Sequence, residues 1–297
     1  MKLALNKNKS LALVTAVLRY LILTALAFVV LYPLIIKIEL SFMNVEDLTD
    51  ATVRFVPKTL TLMNFKAAIS GLDYGISLAQ TLLFVVSITA VQVFFSMITA
   101  YGLASFRFPG RNIVFGFVLA TLIIPPQTIM LSLYFRFQSL SMVGITLPLY
   151  IMAATGLGLK NGLLIFIFRQ FFKGFPREIE ESALIDGAGV FRTFISIVMP
   201  SSRATSLTAF LLTFVWQYTD GFYTSVFIPD NRFLSKMLQM GDSAAQQLGS
   251  SLYTGNPYFQ SLVKNASILL YIAPVLLLFF ICQKHFIESV ERTGLVG

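Results

Sequence analysis

Six stretches of largely apolar sequence run through this chain, and they restrict its fold more than any other feature does. A helix needs about 20 apolar residues to cross the hydrocarbon core of a bilayer, because each residue advances the helix by about 1.5 Å. The stretches lie at 18–36, 79–103, 113–134, 146–168, 205–227 and 265–283. The sequence therefore predicts an all-α integral membrane protein, with one domain over residues 1–297 that holds about six transmembrane helices.

Composition supports lipid as the main surroundings of the chain. Hydrophobic residues make up 56% of the sequence and charged residues only 12%, whereas about a quarter of the residues of a soluble domain are charged. The net charge of +8 is spread between the apolar stretches instead of being collected on one face. This scatter argues against a nucleic-acid partner, which requires a continuous basic surface.

The distribution of Lys and Arg predicts the orientation. The segments 1–19, 104–112, 169–203 and 284–297 hold 13 Lys and Arg among 77 residues, against 8 among 90 in the segments on the other side. Because basic residues concentrate on the cytoplasmic side, both termini are expected to be cytoplasmic. The first apolar stretch continues to Ile36, which is too long for the core of a signal peptide, so it is expected to be an uncleaved membrane helix.

The longest predicted cytoplasmic loop, 173–200, contains a short amphipathic helix. Pro176 suits the first turn of a helix, where no backbone donor is needed. Three glutamates follow at once, where the positive end of the helix dipole favours them, and glycines mark the end of the helix. The small residues Ala183 and Gly187 lie on one stripe and would permit another protein to approach closely.

The residues of this loop also match a family pattern. Glu181-Ser182-Ala183 is followed after three residues by Gly187 and after nine more by Ile197-Val198-Met199-Pro200. This pattern resembles the EAA loop of ABC importer permeases, with Ser182 and Met199 in place of the family's Ala and Leu. The segments around Pro57, Tyr101 and Pro125 extend the resemblance to the carbohydrate-type permeases, and it is close to the smaller maltose-type subunit.

The resemblance implies a type I permease fold and a division of labour between subunits. The loop helix would dock in a cleft of a separate ATPase, which binds ATP and Mg²⁺, and Pro200 would set the angle at which the chain leaves the loop. The residues implied in coupling are Glu181, Ser182, Ala183, Asp186, Gly187 and Pro200. A second homologous permease and an extracytoplasmic solute-binding protein would complete the importer in a bacterial cytoplasmic membrane. An ordinary solvated loop with a charged helix is the alternative.

A few polar residues within the apolar stretches are candidates for the transport pathway. Ionisable groups inside a membrane are costly and usually face a pore or a partner. Lys160 and Asn161 could line the pathway, or Lys160 could pair with a carboxylate or a carbonyl or lie at a helix break. Trp216, Tyr218 and Asp220 combine aromatic faces with polar groups and could contact a saccharide, although an aromatic belt at the membrane edge explains the two aromatic residues equally well.

A ridge of small residues, Ala154, Gly158 and Gly162, runs along the fourth stretch and would allow a neighbouring helix to approach closely. A flexible break is the alternative.

The favoured function is therefore a permease subunit of a binding-protein-dependent ABC importer for an oligosaccharide or related glycan. A polyamine, glycerol-phosphate or another polar solute is the alternative cargo. An ion-coupled secondary transporter is the alternative from a different class. It would usually show paired repeats and carboxylates inside the membrane, and neither is evident in this sequence. The sequence holds no G-x-x-x-x-G-K-[ST] loop, no H-E-x-x-H, no nucleophile elbow and no Cys/His metal spacing, so neither catalytic residues, nor a metal site, nor a cofactor in this chain is predicted.

Overall fold

The computed structural model of the chain describes residues 2–53, 56–239 and 256–294, with side chains described within 13–53, 56–239 and 256–283. Every regular element in these ranges is helical. The helices are α1 (Lys2–Phe42), α2 (Val45–Thr49), α3 (Met63–Gly71), α4 (Tyr74–Ser105), α5 (Arg111–Ile123), α6 (Pro126–Ser139), α7 (Leu147–Thr155), α8 (Asn161–Lys173), α9 (Arg177–Ile185), α10 (Val190–Thr193), α11 (Met199–Ser201), α12 (Arg203–Thr219), α13 (Phe222–Phe227), α14 (234–239) and α15 (Pro257–Gly294). A π-helical turn, Phe194–Val198, joins α10 to α11.

Three helices are long and apolar enough to cross a membrane without a break. They cover Leu13–Phe42, Tyr74–Ser105 and Pro257–Gln283, and the predicted spans 18–36, 79–103 and 265–283 lie inside them. Up to five spans result if each of two bent helix pairs is counted as one. Six spans therefore stay a prediction.

The predicted span 113–134 is not one straight helix. α5 and α6 meet at an angle of 103°. The cause is local, because Ile124 precedes a proline and takes an extended conformation, with ψ of 120°, and so cannot continue the helix. Pro125 is likewise extended, and Pro126 then opens α6 at a position where its missing N–H costs nothing.

The predicted spans 146–168 and 205–227 are also interrupted. The first breaks between α7 and α8, where Gly156 closes α7 with a positive φ of 86°. The second breaks between α12 and α13 at Asp220 and Gly221. Hydropathy missed these breaks because apolar residues continue on both sides of each one.

The chain divides into two compact units. The first comprises Met1–Tyr74 and Met240–Ile272, and the second comprises Gly75–Gln239 and Ala273–Gly297. In the first unit, α3 packs on α15 through a small cluster of Ala68, Phe259, Val263 and Ala266. Within this unit the Tyr74 hydroxyl donates to the Leu270 carbonyl at 2.9 Å.

The polar segment after α1 is organised by side-chain hydrogen bonds. Asn64 is buried and donates to the carbonyls of Ser41, in the last turn of α1, and Met43, just after that helix. Asp50 accepts a hydrogen bond from Lys58 at 2.5 Å. That contact lowers the pKa of the Asp50 carboxyl and raises the pKa of the Lys58 ammonium. The predicted outer segment 37–78 is thus ordered in its described part, whereas much of 228–264 lies outside the described residues.

The second unit is built around α4, α8 and α12. Its core is a continuous apolar cluster drawn from these helices and from the π-helical turn. The cluster consists of Val93, Met97, Ala100, Tyr101, Leu103, Ala104, Leu164, Ile165, Phe168, Phe172, Phe194, Val198 and Ala209. This core places the loop 173–200 next to the end of α4, and it places the break between α7 and α8 beside the middle of α4.

Candidate functional site

The helix predicted in the loop 173–200 is present as α9. Pro176 precedes it in an extended conformation with ψ of 121°, and Arg177 is its first residue. Glu178 and Glu180 lie in the first turn, where the helix dipole stabilises negative charge. The Ser182 hydroxyl donates to the Glu178 carbonyl within the same helix at 2.6 Å.

Gly187 ends this helix through its backbone conformation. Its φ is +83°, a value that side chains with a Cβ rarely adopt. The Ala188 N–H donates to the Ala183 carbonyl and the Gly187 N–H donates to the Leu184 carbonyl, at 3.0 and 3.1 Å. This pair of bonds is a Schellman motif, which satisfies carbonyls that the helix end would leave free. A Cβ on Gly187 would meet no atom within 4 Å, so in this chain the glycine is required for its conformation and not for packing.

One face of the loop is anchored and the other is open. Ala183 is buried, whereas Glu181, Ser182 and Asp186 are exposed. Large apolar side chains stand out on the same loop: Ile185 is 86% exposed and Phe191 is 69% exposed. Exposed apolar groups bordered by charge are typical of protein interaction sites. Pro200, within α11, is half-buried and lies just before the 78° bend into α12.

Tyr101 joins the loop to the core. Its hydroxyl donates to Glu180 Oε2 at 2.8 Å. Its ring lies against Phe172 at the end of α8 and Phe194 in the π-helical turn, with centroid distances of 5.6 and 4.9 Å. Neither Tyr101 nor Glu180 was predicted as a site residue.

The break between α7 and α8 is the second candidate site, and it contains Lys160. Lys160 precedes α8 with a positive φ of 56°. The carbonyl of the residue before it is satisfied by a side chain of one neighbouring helix, which is held in turn by a side chain of another. The Gln92 amide on α4 donates to the Leu159 carbonyl at 2.6 Å, and the Gln217 amide on α12 donates to Gln92 Oε1 at 2.7 Å. Non-helical backbone at membrane depth requires such partners.

Asn161 holds the break from the other side. Its amide donates to the Ala153 carbonyl at 2.9 Å and to Ser96 Oγ at 3.2 Å. Its Oδ1 is buried and has no hydrogen-bond partner among the described residues. The Asn161 side chain therefore connects the start of α8 to α7 across the break.

The structure brings Lys160 and Trp216 together. The Lys160 ammonium lies 4.5 Å from the centroid of the Trp216 ring, a distance that permits a cation–π interaction. Lys160 thus lies at a break in its predicted span, and the partner found beside it is an aromatic ring instead of the predicted carboxylate or carbonyl. A pathway role stays a prediction.

Tyr218 and Asp220 lie deeper than Trp216. Tyr218 is 1% exposed and stacks on Phe214 at a centroid distance of 6.0 Å. The Asp220 carboxylate accepts hydrogen bonds from the backbone N–H groups of Phe222, Tyr223 and Thr224 at the start of α13. These contacts are structural, and contact of either residue with substrate stays a prediction.

The predicted ridge of small residues has two different roles. A Cβ on Gly162 would lie 2.5 Å from Thr121 Oγ1 and 2.7 Å from the Val118 carbonyl of α5, so this glycine does allow a neighbouring helix to approach. A Cβ on Gly158 would meet Asn161 and Ala153 of its own segment instead. Gly158 therefore serves the break and not the packing between helices.

A known protein family matches most of this chain. The profile of the family described as "Binding-protein-dependent transport system inner membrane component" matches residues 92–292. The chain belongs to this family. It is therefore a transport permease component, and the predicted resemblance to the ABC importer permeases is confirmed. Membership also makes it a multi-pass protein of the inner membrane.

Relatives and a solved structure extend the match beyond that range. The sn-glycerol-3-phosphate transport system permease protein UgpE of Pectobacterium atrosepticum is 26% identical over 274 residues, 88% of this chain and 90% of that protein. A probable ABC transporter permease of Pyrococcus horikoshii is 27% identical over 288 residues, 94% of this chain and 97% of that one.

A chain in the crystal structure of a bacterial ABC transporter involved in the import of the acidic polysaccharide alginate has the same fold. Its TM-score is 0.75 at 19% identity, and the match covers 92% of this chain and 96% of that one. The predicted all-α permease fold is confirmed.

Proposed function

We propose that this chain forms half of the translocation pore of an ABC importer and couples to a separate ATPase through the loop 173–200. Family membership supports the importer. The observation that carries the coupling role is α9 itself, a helix that ends in a Schellman motif and exposes the acidic residues Glu178 and Glu181 and the apolar residue Ile185. The folded chain leaves this surface open for a partner.

The residues predicted to couple the loop to the ATPase have different roles in docking. Glu181 and Asp186 supply exposed carboxylates for the basic groups of the ATPase cleft, while Ser182 lies between them on the open surface. Ala183 anchors the helix to its own chain, and the Schellman turn at Gly187 keeps the following residues close to the helix end. Pro200 sets the direction in which the chain continues into α12.

The chain has one coupling loop, which implies a second permease subunit in the importer. An importer with two ATPases needs two such loops, so a second homologous permease completes the pore. The ATPases bind ATP and Mg²⁺, and an extracytoplasmic binding protein delivers substrate. The excess of basic residues in 1–19 and 169–203 supports cytoplasmic termini.

An oligosaccharide or related glycan is the proposed cargo, with glycerol-phosphate as the second candidate. The alginate transporter and the sn-glycerol-3-phosphate permease carry substrates that combine hydroxyl groups with negative charge. The pair of Lys160 and Trp216 offers a cation beside an aromatic face, which suits both features.

Co-purification from native membranes tests the proposal. Glu181→Lys reverses the charge on the open face of α9, and Glu46→Lys makes the same change at an exposed residue of the predicted outer segment. Wild type and Glu46→Lys should bring down an ATPase, a second permease and a binding protein. Glu181→Lys should keep the permease partner and lose the ATPase. A chain that purifies alone in every case, with transport intact in Glu181→Lys, would overturn the proposal in favour of a secondary transporter.

A further inference from the structure

Tyr101 is the residue of α4 at which the parts of the coupling loop converge. It is 6% exposed and lies one turn before the end of the helix. Its hydroxyl reaches Glu180 on α9, its ring contacts Phe172 before α9, and the same ring contacts Phe194 after α9. One side chain thus touches the segment that enters the loop, the loop helix and the segment that leaves it.

The contact with Glu180 is of a different kind from the ring contacts. Phe172 and Phe194 are buried and belong to the apolar core, so their contacts with Tyr101 move only if the core moves. Glu180 is half-buried on a helix whose outer face is open. Glu180 lines a cavity of about 260 Å³ together with Tyr101, Arg111, Lys173 and Arg177. A hydrogen bond to a charged acceptor in such a partly enclosed place is stronger than one between neutral groups.

α4 also carries the residue that holds the helix break. Gln92 binds the Leu159 carbonyl and accepts a hydrogen bond from Gln217. Tyr101 and Gln92 are nine residues apart on one uninterrupted helix, so about 13 Å of regular helix separates them at 1.5 Å per residue. A displacement of the α4 end by the coupling helix therefore reaches the backbone around Lys160 through a rigid element.

We propose that Tyr101 is a positioning residue that transmits the movement of α9 to α4, with its hydroxyl bond to Glu180 as the link that a docked ATPase acts upon. This inference rests on the proposed function. In it, Glu181 and the exposed apolar residues bind the ATPase, while Tyr101 and Glu180 carry the resulting displacement into the pore. Loss of the link leaves the ATPase bound and active but separates hydrolysis from transport.

The test is the amount of substrate imported per ATP hydrolysed, measured with the complete importer reconstituted in proteoliposomes with its binding protein. Tyr101→Phe keeps the ring contacts and removes only the hydroxyl. Glu180→Ala removes the acceptor, and Glu180→Gln keeps an oxygen that can accept the bond. Tyr20→Phe, at a residue that is 69% exposed on α1, is the matched control.

Tyr101→Phe and Glu180→Ala should each lower import per ATP about tenfold, the factor that corresponds to one hydrogen bond to a charged group. The ATPase should still co-purify with both variants. Glu180→Gln should recover most of the ratio, and Tyr20→Phe should equal wild type. The double variant Tyr101→Phe/Glu180→Ala should be no worse than either single variant, because both remove the same bond.

The inference is overturned if Tyr101→Phe imports as much per ATP as wild type, if the losses of the two single variants add in the double variant, or if Glu180→Gln behaves like Glu180→Ala. Failure of the proposed function has another signature, since wild type itself would then bind no ATPase. The wild-type complex thus decides the proposed function before any variant is compared.

Discussion

The coupling loop and the break at 156–160 are both departures from simple membrane helices, but they are built in opposite ways. Around α9 the charged residues other than Glu180 are exposed, and the described part of the chain leaves Ile185 and Phe191 uncovered. At the break, Gln92, Asn161 and Gln217 are buried and most of their polar atoms are paired. The loop is thus organised for a partner, whereas the break is organised for its own chain. Substitutions at the break should therefore cost stability, and substitutions on the open face of α9 should cost assembly.

Gly162→Ala should have the largest effect on stability. The new methyl group would overlap the Val118 carbonyl at 2.7 Å, and because this atom belongs to the backbone, α5 and α8 must separate. We expect a loss of about 2–3 kcal/mol in the free energy of unfolding, measured by thermal unfolding in detergent. Gly116→Ala on α5, where a Cβ meets no atom within 4 Å, should not destabilise. Equal effects would contradict close packing at Gly162.

Gln92→Leu should come next. It leaves the Leu159 carbonyl and the Gln217 amide without their partner, at a cost of about 2 kcal/mol. Adding Gln217→Leu should cost less than the sum of the two single changes. The same leucine at the exposed Gln138 serves as control. A Gln92→Leu protein as stable as this control would show that the network does not support the break.

Gly187→Ala should have a smaller effect. It forces a residue with a Cβ into a φ of +83° and should destabilise the loop by about 1 kcal/mol. Gly189 has an ordinary φ of −69° and open space at its Cβ position, so Gly189→Ala is the matched control. Limited proteolysis of the loop should separate the two variants. If both are cleaved at the same rate, the Schellman motif does not fix the end of α9.

Lys160→Met should have the smallest effect on stability, about 0.5–1 kcal/mol, which is the usual worth of a cation–π contact. The effect of this substitution on transport distinguishes a pathway role of Lys160 from a structural one. If Lys160 lines the pathway, substrate uptake by Lys160→Met should fall by more than this small loss of stability explains. Lys160→Arg should restore uptake, because it keeps the cation over Trp216. Normal uptake by Lys160→Met at normal expression would reduce Lys160 to a structural residue of the break.

The coupling loop could be read from the sequence because its requirements are local. Pro176 at the start, the acidic first turn and Gly187 at the end each act within a few residues, so spacing alone indicated α9. The break could not be read in this way. Gln92 and Gln217 are 125 residues apart, and their contact depends on the packing of α4 against α12. The link from Tyr101 to Glu180 spans 79 residues and was missed for the same reason.

Hydropathy located the apolar stretches but could not distinguish a straight span from a bent one. The bend at Ile124 had a sequence cause in the two prolines that follow it, and this cause was available before the structure. The role of Asp220 at the start of α13 was less accessible, because it required knowledge that a helix ends there. The sequence thus located the apolar segments but not the points at which they change direction.

Cross-linking from Ile185 tests whether the loop 173–200 contacts the ATPase. Ile185→Cys, in a chain whose single native cysteine is replaced by Cys282→Ser, puts a thiol at the most exposed apolar position of α9. Val56→Cys, 77% exposed in the predicted outer segment, is the control. With a short thiol-to-amine cross-linker in native membranes, we expect an adduct between Ile185→Cys and the ATPase that Glu181→Lys abolishes, and none from Val56→Cys. Absence of an ATPase adduct from Ile185→Cys, in membranes where substrate uptake is normal, would contradict coupling through this loop.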